Sequence, residues 1–375
     1  MPHAPTVFSQ IIASLFQTEF ARCAGRYPMP RSSRSFSAYD HFLALCFGQL
    51  TYRESLRDII TCLSNRQSLQ FHLGFRGRLT RTNFAYANEH RNWRLFAAVA
   101  GVLMRKAARL YEADGEVSNA PDLVFALDAS IIDLSLKLFP WAYYARTYRS
   151  AVKLHTLLSL QGPFPAWAAV TNANFPDMKM LDQIPLRTGA FYVLDRAYLD
   201  FTRLIRLDKA GAFFVVRNKR HVRFRMTRSR RASGDTGVLE DQTIQLTSRW
   251  SRSVYPSPLR RICFQDPDQN RHFIFLTNNF KLAPQVICDL YRRRWQVELF
   301  FKWIKQHLRI RNFYGRSENA IRCQIWTAIC SYLLVAIARK ELNLQQTLQI
   351  VSVSAFEQIT LAELFARPSP CLLYT

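Results

Sequence analysis

The feature that most constrains this chain is the run from Tyr291 to Lys305, Tyr-Arg-Arg-Arg-Trp-Gln-Val-Glu-Leu-Phe-Phe-Lys-Trp-Ile-Lys. No Gly or Pro interrupts residues 288–311, so the pattern predicts one helix entered after Pro284. At about 100° per residue, Tyr291, Arg294, Glu298 and Lys305 fall within roughly 60° of one another, with Lys302 and Arg309 near the same line. Val297, Phe301, Ile304 and Leu308 form an apolar stripe beside them. The helix thus has a buried face and a polar face carrying one carboxylate among cations. Taken alone, that face is ordinary: Glu298 and Lys302 have the spacing of a solvated helical ion pair.

Two further carboxylates have a distinctive setting. Leu123-Val124-Phe125-Ala126-Leu127 reads as a short buried strand and delivers Asp128; Ala190-Phe191-Tyr192-Val193-Leu194 reads as another and delivers Asp195. An Asp after a strand is most often a turn or helix-cap residue. Asp133 and Asp200 are rivals for each position, inside presumed strand-to-helix regions. Between the two strands, residues 153–160 and 165–171 read as a hairpin turning at Gln161-Gly162-Pro163. A short helix follows through Met178 and Leu181. Leu199 to Leu207 reads as a helix and Ala212 to Val216 as a strand.

The balance of 51 Lys+Arg against 27 Asp+Glu, a formal charge of +24 and a pI near 10.2 imply a polyanionic partner. No membrane anchor or signal peptide is expected, because the apolar run 325–338 is short and reads as a buried helix. The eight cysteines form no C-x-x-C pair and read as reduced core residues of a cytosolic protein.

The order Asp128, Asp195, then Tyr291-x2-Arg294-x3-Glu298-x6-Lys305 resembles the insertion-sequence-4 family of DDE transposases at every position of that signature. One departure is Ala197 in Asp195-Arg196-Ala197-Tyr198, where the family usually has Gly; a positive φ there would strain Ala. The resemblance implies an α/β chain: a helical DNA-binding domain over 1–115, a ribonuclease-H-like catalytic domain over 116–340, and a C-terminal helix and tail over 341–375. The polar stretch 113–121 marks the first boundary, and a β-rich insertion is expected at 218–271 (the alternative being a disordered basic loop). The resemblance also implies that Asp128, Asp195 and Glu298 are catalytic and bind two Mg²⁺ or Mn²⁺ ions. Carboxylate oxygens suit those ions and do not suit zinc. Tyr291, Arg294 and Lys305 would hold phosphates, with Lys302 on the same face, and Trp295 or Trp250 would stack a flipped base, a plain packing role being the alternative for Trp250.

The N-terminal residues read as short helices studded with Arg, which suits a helix-turn-helix module and equally a plain bundle. Thr51 with Glu54 reads as a capping box. Arg78, Arg81 and Asn83 lead into a long helix containing Trp93, Leu95, Phe96 and Val102, and the resemblance makes Arg81 a DNA contact. Together these features predict a cut-and-paste enzyme acting on double-stranded DNA (transposon ends and target) through a hairpin. It is expected to be a homodimer, cytoplasmic and nucleoid-associated in a bacterium. The rivals are a catalytically silent DNA-binding relative, a structure-selective nuclease and a basic RNA-binding protein.

Overall fold

A computed structural model of the chain describes residues 6–29, 36–65, 70–112, 121, 123–162, 164–230, 237–266, 271–307 and 313–342. The chain divides into two compact units, one of 1–114, 132–151 and 301–375, the other of 115–131 and 152–300.

The first unit is helical. Its helices are α1 (Val7–Ala13), α2 (Gln17–Gly25), α3 (Ala38–Leu50), α4 (Leu56–Ser64), α5 (Arg81–His90), α6 (Arg94–Glu112) and, much later in the chain, α11 (Glu318–Glu341). Side-chain caps set their starts: Thr6, Ser55, Thr80 and Ser317 each accept a backbone N–H, and Ser37 with Asp40 makes a reciprocal capping box. Ser55, not the expected Thr51, therefore caps the helix that follows, α4; Thr51 closes α3, its hydroxyl donating to the Phe47 carbonyl at 2.7 Å.

The long helix expected after Arg81 is two helices. Asn319 explains the break: its amide donates to the carbonyls of Asn88 at 3.1 Å and Arg91 at 2.8 Å, and its oxygen accepts from Trp93 N–H at 3.2 Å. A distant side chain thus satisfies the backbone groups that a break leaves open. The 24-residue α11 packs on α3 and α6 and, alone among the described residues, is long and apolar enough to cross a membrane. Yet 94% of its most apolar stretch is buried in the protein. Because of this packing, the described residues 301–307 and 313–340, expected in the catalytic domain, lie with the N-terminal helices. Residues 113–120 and 343–375, expected as linker and as tail, lie outside the described residues.

The second unit is a sheet with helices. Strands β1 (Val124–Leu134), β3 (Arg149–Ser159), β4 (Phe164–Asn172), β5 (Phe191–Leu194) and β6 (Phe213–Arg217) are joined by β7 (Phe224–Arg230), β8 (Val238–Leu246), β9 (Leu259–Asp266) and β10 (Arg271–Thr277). The order is β3-β1-β5-β6-β10-β9-β8-β7, with β4 on β3. In the first unit the two-residue β2 (Tyr143–Tyr144) pairs with the start of β3. Helices α7 (Phe201–Lys209), α8 (Arg249–Val254), α9 (Pro284–Arg293) and α10 (Trp295–His307) complete the set, α10 running past Phe300 into the first unit.

The expected insertion is β-rich, and it extends the central sheet: β10 pairs antiparallel with β6 on one side and with β9 on the other. The Arg-rich segment is strand β7 at the sheet's edge, where charged side chains guard against edge-to-edge pairing. The core beneath combines Phe125, Leu127, Tyr192, Leu194, Leu204, Phe214 and Leu276.

His155 on β3 is fully buried, with Nε2 against Thr171 Oγ1 at 2.9 Å. Burial holds its pKa down at about 4, despite Asp177 nearby. A depressed pKa stabilises the fold above the unfolded value of 6.5, and that contribution is lost as pH falls through about 4. Its size is roughly 3 kcal/mol at about 1.4 kcal/mol per unit. Urea melts should show the parent losing stability between those pH values more steeply than His155→Gln; parallel curves would contradict this.

Candidate active site

Strand register places the first two carboxylates. β1 and β5 run parallel with Leu127 opposite Leu194, so Asp128 and Asp195 are the next residues on neighbouring strands. Neighbouring strands lie roughly 4.8 Å apart. Asp195 ends its strand as expected. Asp128 does not, because β1 continues to Leu134; it is instead the first residue beyond the pairing with β5.

The aspartates are not caps of the ordinary kind. Asp195 precedes a 3-10 turn, Arg196–Tyr198, without a side-chain capping bond. Asp128 Oδ1 accepts from the Ala129 N–H at 2.8 Å, leaving Oδ2 for another partner. Asp200 does cap, accepting from Arg203 N–H at the start of α7, and Asp133 is exposed late in β1. Ala197 lies within the 3-10 turn and is not among the positive-φ residues, so Ala is accommodated without the strain that such a backbone would bring.

The expected single helix is broken at Arg294. Arg294 N–H bonds to Tyr291 O and Val297 N–H to Arg294 O, both at 3.0 Å, a three-residue repeat between α9 and α10. No Gly or Pro causes it. The flanking side chains are tied to the two strand ends. Arg294 donates to Asp128 Oδ2 at 3.0 Å and to Glu298 Oε1 at 2.5 Å. Tyr291 donates its hydroxyl to Asp195 Oδ1 at 3.2 Å, its ring packed 4.5 Å from the ring of Phe275. Glu298 is thus paired with Arg294, and Lys302 is exposed. Val297, Phe300, Phe301 and Ile304 form the buried stripe; Leu308 and Arg309 lie outside the described residues.

Burial pushes the Asp128 carboxyl up to about 6, with Asp195 and Glu298 adding to the rise and the Ala129 N–H and Arg294 opposing it. Burial, then the charge of Asp195, pushes the Tyr291 phenol up to about 12. Tyr198 went unassigned by the sequence reading. It is buried, its hydroxyl has no hydrogen-bond partner, and burial with Asp128, Asp177 and Asp195 holds its pKa well above 10. Its place three residues after Asp195 was the available signal.

Beside the carboxylates lies a cavity of about 480 Å³ lined by Arg217, Arg271, Tyr291, Arg292, Arg294, Trp295 and Glu298. Trp295 is 58% exposed. Trp250, 59% exposed, lines a separate cavity of about 340 Å³ with Lys219, His221 and Arg223. Lys305 is exposed two turns beyond Glu298 on α10. Arg81, the first residue of α5, belongs to the helical unit and lines a groove there with Arg57 and Arg316.

Three carboxylates supply hard oxygen donors of the kind a divalent cation takes. Among the described residues, no group of three or more His, Cys, Asp or Glu is gathered to hold a metal ion. The Arg294 guanidinium lies between Asp128 and Glu298, bonded to both. The residues fit a cation in charge and donor type, provided Arg294 swings aside.

Two aspartates on neighbouring parallel strands and a glutamate on a later helix therefore stand in the chain order Asp, Asp, Glu. The chain matches the transposase DDE domain family over residues 119–334, more than half its length, and belongs to that family. Membership makes it a transposase, an enzyme of the polynucleotidyl-transferase and nuclease class that uses divalent metal. Residues 3–76 match a second family, a domain of unknown function.

A Sinorhizobium fredii protein carrying the name transposase y4zB is 34% identical over 68% of this chain and 70% of its own length. A Geobacillus stearothermophilus protein named as transposase for the insertion sequence element IS5377 is 32% identical over 57% of this chain and 56% of its own. A Synechocystis protein named for the element IS4SA is 23% identical over 68% of this chain and 71% of its own. A piggyBac transposase synaptic complex with hairpin DNA aligns over 93% of this chain and 78% of that one, at 9% identity and a TM-score of 0.46, a likeness too distant to carry an argument.

Arg294→Gln should strand Asp128 and Glu298 without their cation. The expected cost is about 2 kcal/mol, below the ~3–5 of a fully buried pair because Glu298 keeps over a third of its side chain exposed. Urea melts without divalent ions should show that loss, and saturating Mg²⁺ should shrink it. A loss unchanged by Mg²⁺ would mean that no cation replaces the guanidinium.

Proposed function

We propose that this protein is a cut-and-paste transposase of the insertion-sequence-4 type, with a ribonuclease-H-like catalytic unit that holds two Mg²⁺ or Mn²⁺ ions on Asp128, Asp195 and Glu298. The observation that carries the reading is the convergence of these three carboxylates on Arg294 and Tyr291. The strand order β4-β3-β1-β5-β6, a hairpin followed by parallel strands, supports the fold assignment. When bound, the metal ions supply Lewis-acid activation of the phosphodiester and of the attacking oxygen.

The chain's own groups do the rest. Arg294, once it leaves the carboxylates, has the planar fork that grips a phosphate with two hydrogen bonds, and Tyr291 has a hydroxyl to donate. Trp295, exposed beside Arg294 in a cavity ringed by arginines, is the better-placed stacking platform for a flipped base. Trp250 offers a second, among Lys219, His221 and Arg223. Lys302 and Lys305 continue the cationic line along α10, and Arg81 contacts DNA from the helical unit. Double-stranded transposon ends and target DNA are the partners, two copies of the chain synapse the ends, and the enzyme acts in the cytoplasm on the nucleoid.

Glu298→Gln keeps the side-chain shape and removes the charge a metal needs. End-labelled duplex with Mg²⁺ should show binding retained and nicking reduced by orders of magnitude. Near-parental nicking would remove Glu298 from the catalytic set. A parent that binds ends and never nicks them is the silent relative.

Lys305→Ala should spare the first nick more than hairpin formation, because metal-activated water needs only the carboxylates whereas the hairpin step needs the strand end held. A denaturing gel scores both products. Equal loss would make Lys305 a general DNA contact, and efficient nicking without any hairpin from the parent would overturn the hairpin route.

A further inference from the structure

The helical unit carries a second cationic feature, remote in sequence from the site residues. A groove of about 650 Å³ runs between α2 and α6, lined by Arg22 and Arg26 from the first helix and Arg105, Lys106 and Arg109 from the second. Among the described residues, Glu19 is the one carboxylate in its wall. Cys23, buried, lines the same groove; burial raises its thiol pKa, Arg26, Arg22 and Arg105 pull it down, and Glu19 adds to the rise.

Internal pairing accounts for only part of this charge. Lys106 binds the Glu341 carboxylate at 2.8 Å and the Ser14 carbonyl at 3.0 Å, and Arg22 lies 3.8 Å from Glu19. Among the described residues, Arg26, Arg105 and Arg109 have no carboxylate partner within ion-pair distance. Helix-end electrostatics favour Arg26 at the C-cap of α2 and Arg109 in the last turn of α6, but not Arg105, a turn earlier. Arg105 and Arg109 are spaced i,i+4, as are Arg22 and Arg26, a spacing at which like charges repel. The fold concentrates exposed guanidinium groups on two facing helices. At the mouth, Phe16 is 62% exposed.

We propose that the α2–α6 groove binds the phosphate backbone of duplex DNA, so that residues matched by the domain of unknown function include half of a DNA-holding surface. The proposal rests on the transposase reading for the choice of DNA as the polyanion. Arginine suits the task because its fork binds phosphate oxygens bidentately. Contacts of this kind position a duplex and carry no sequence information.

The test is fluorescence anisotropy with a labelled duplex of arbitrary sequence, titrated at salt concentrations from about 50 to 200 mM. The full-length parent is compared with the triple variant Arg26→Gln, Arg105→Gln, Arg109→Gln and with Arg105→Gln alone. The log affinity against log salt slope should become shallower by about 0.9 for each arginine that contacts a phosphate. The triple variant should bind at least roughly tenfold more weakly at the lower salt. Its melting temperature should match or exceed the parent's, since the substitutions relieve like-charge repulsion; if the triple variant fails to fold, the single variant still reads the slope. Unchanged slope and affinity in folded variants would overturn the groove assignment while leaving the transposase reading intact. A parent that binds no duplex at any salt would overturn that reading, and the groove with it.

Discussion

Everything at this site depends on the Arg294 guanidinium between Asp128 and Glu298. Burial strips hydration from the Asp128 carboxylate and, with a smaller push from Asp195 and Glu298, raises its pKa to about 6. A cation must offset that cost. Here that cation is the Arg294 guanidinium, bonded to both carboxylates. One pair of contacts thus ties Asp128 on β1 to Glu298 on α10, and the arginine comes from the junction of α9 and α10, one turn before Glu298.

The rest of the second unit serves that junction. The parallel register of β1 and β5 fixes Asp128 beside Asp195, and the sheet continues through β6 and β10 to the strands of the insertion. Tyr291 is clamped by the Phe273 and Phe275 rings of β10, so the strand that closes the insertion also orients the hydroxyl on Asp195.

Much of this was legible in the sequence, and for identifiable reasons. Buried strands such as Phe191–Leu194 are short apolar runs that only a strand explains, and the spacing from Tyr291 to Lys305 fixes which side chains share a line. What escaped was tertiary in origin. The break at Arg294 has no local signal, because contacts to residues more than a hundred positions away impose it. The break before α6 depends on Asn319, more than two hundred positions downstream. Asp128 inside a strand rather than at its end depends on where the neighbouring strand stops. The use of α11 as the spine of the helical unit could not be read from an apolar run that only announced burial.

The proposed cation site joins Asp128 and Glu298, which share Arg294, with Asp195, which holds the Tyr291 hydroxyl. Titrating Mn²⁺ into the full-length protein without DNA, with electron paramagnetic resonance counting the bound ion, tests this without any catalytic step. The account predicts tighter Mn²⁺ binding in Arg294→Gln than in the parent, and its loss when Asp195→Asn is added to that variant. Equal Mn²⁺ binding in all three proteins would contradict it, because the ion would then be held elsewhere.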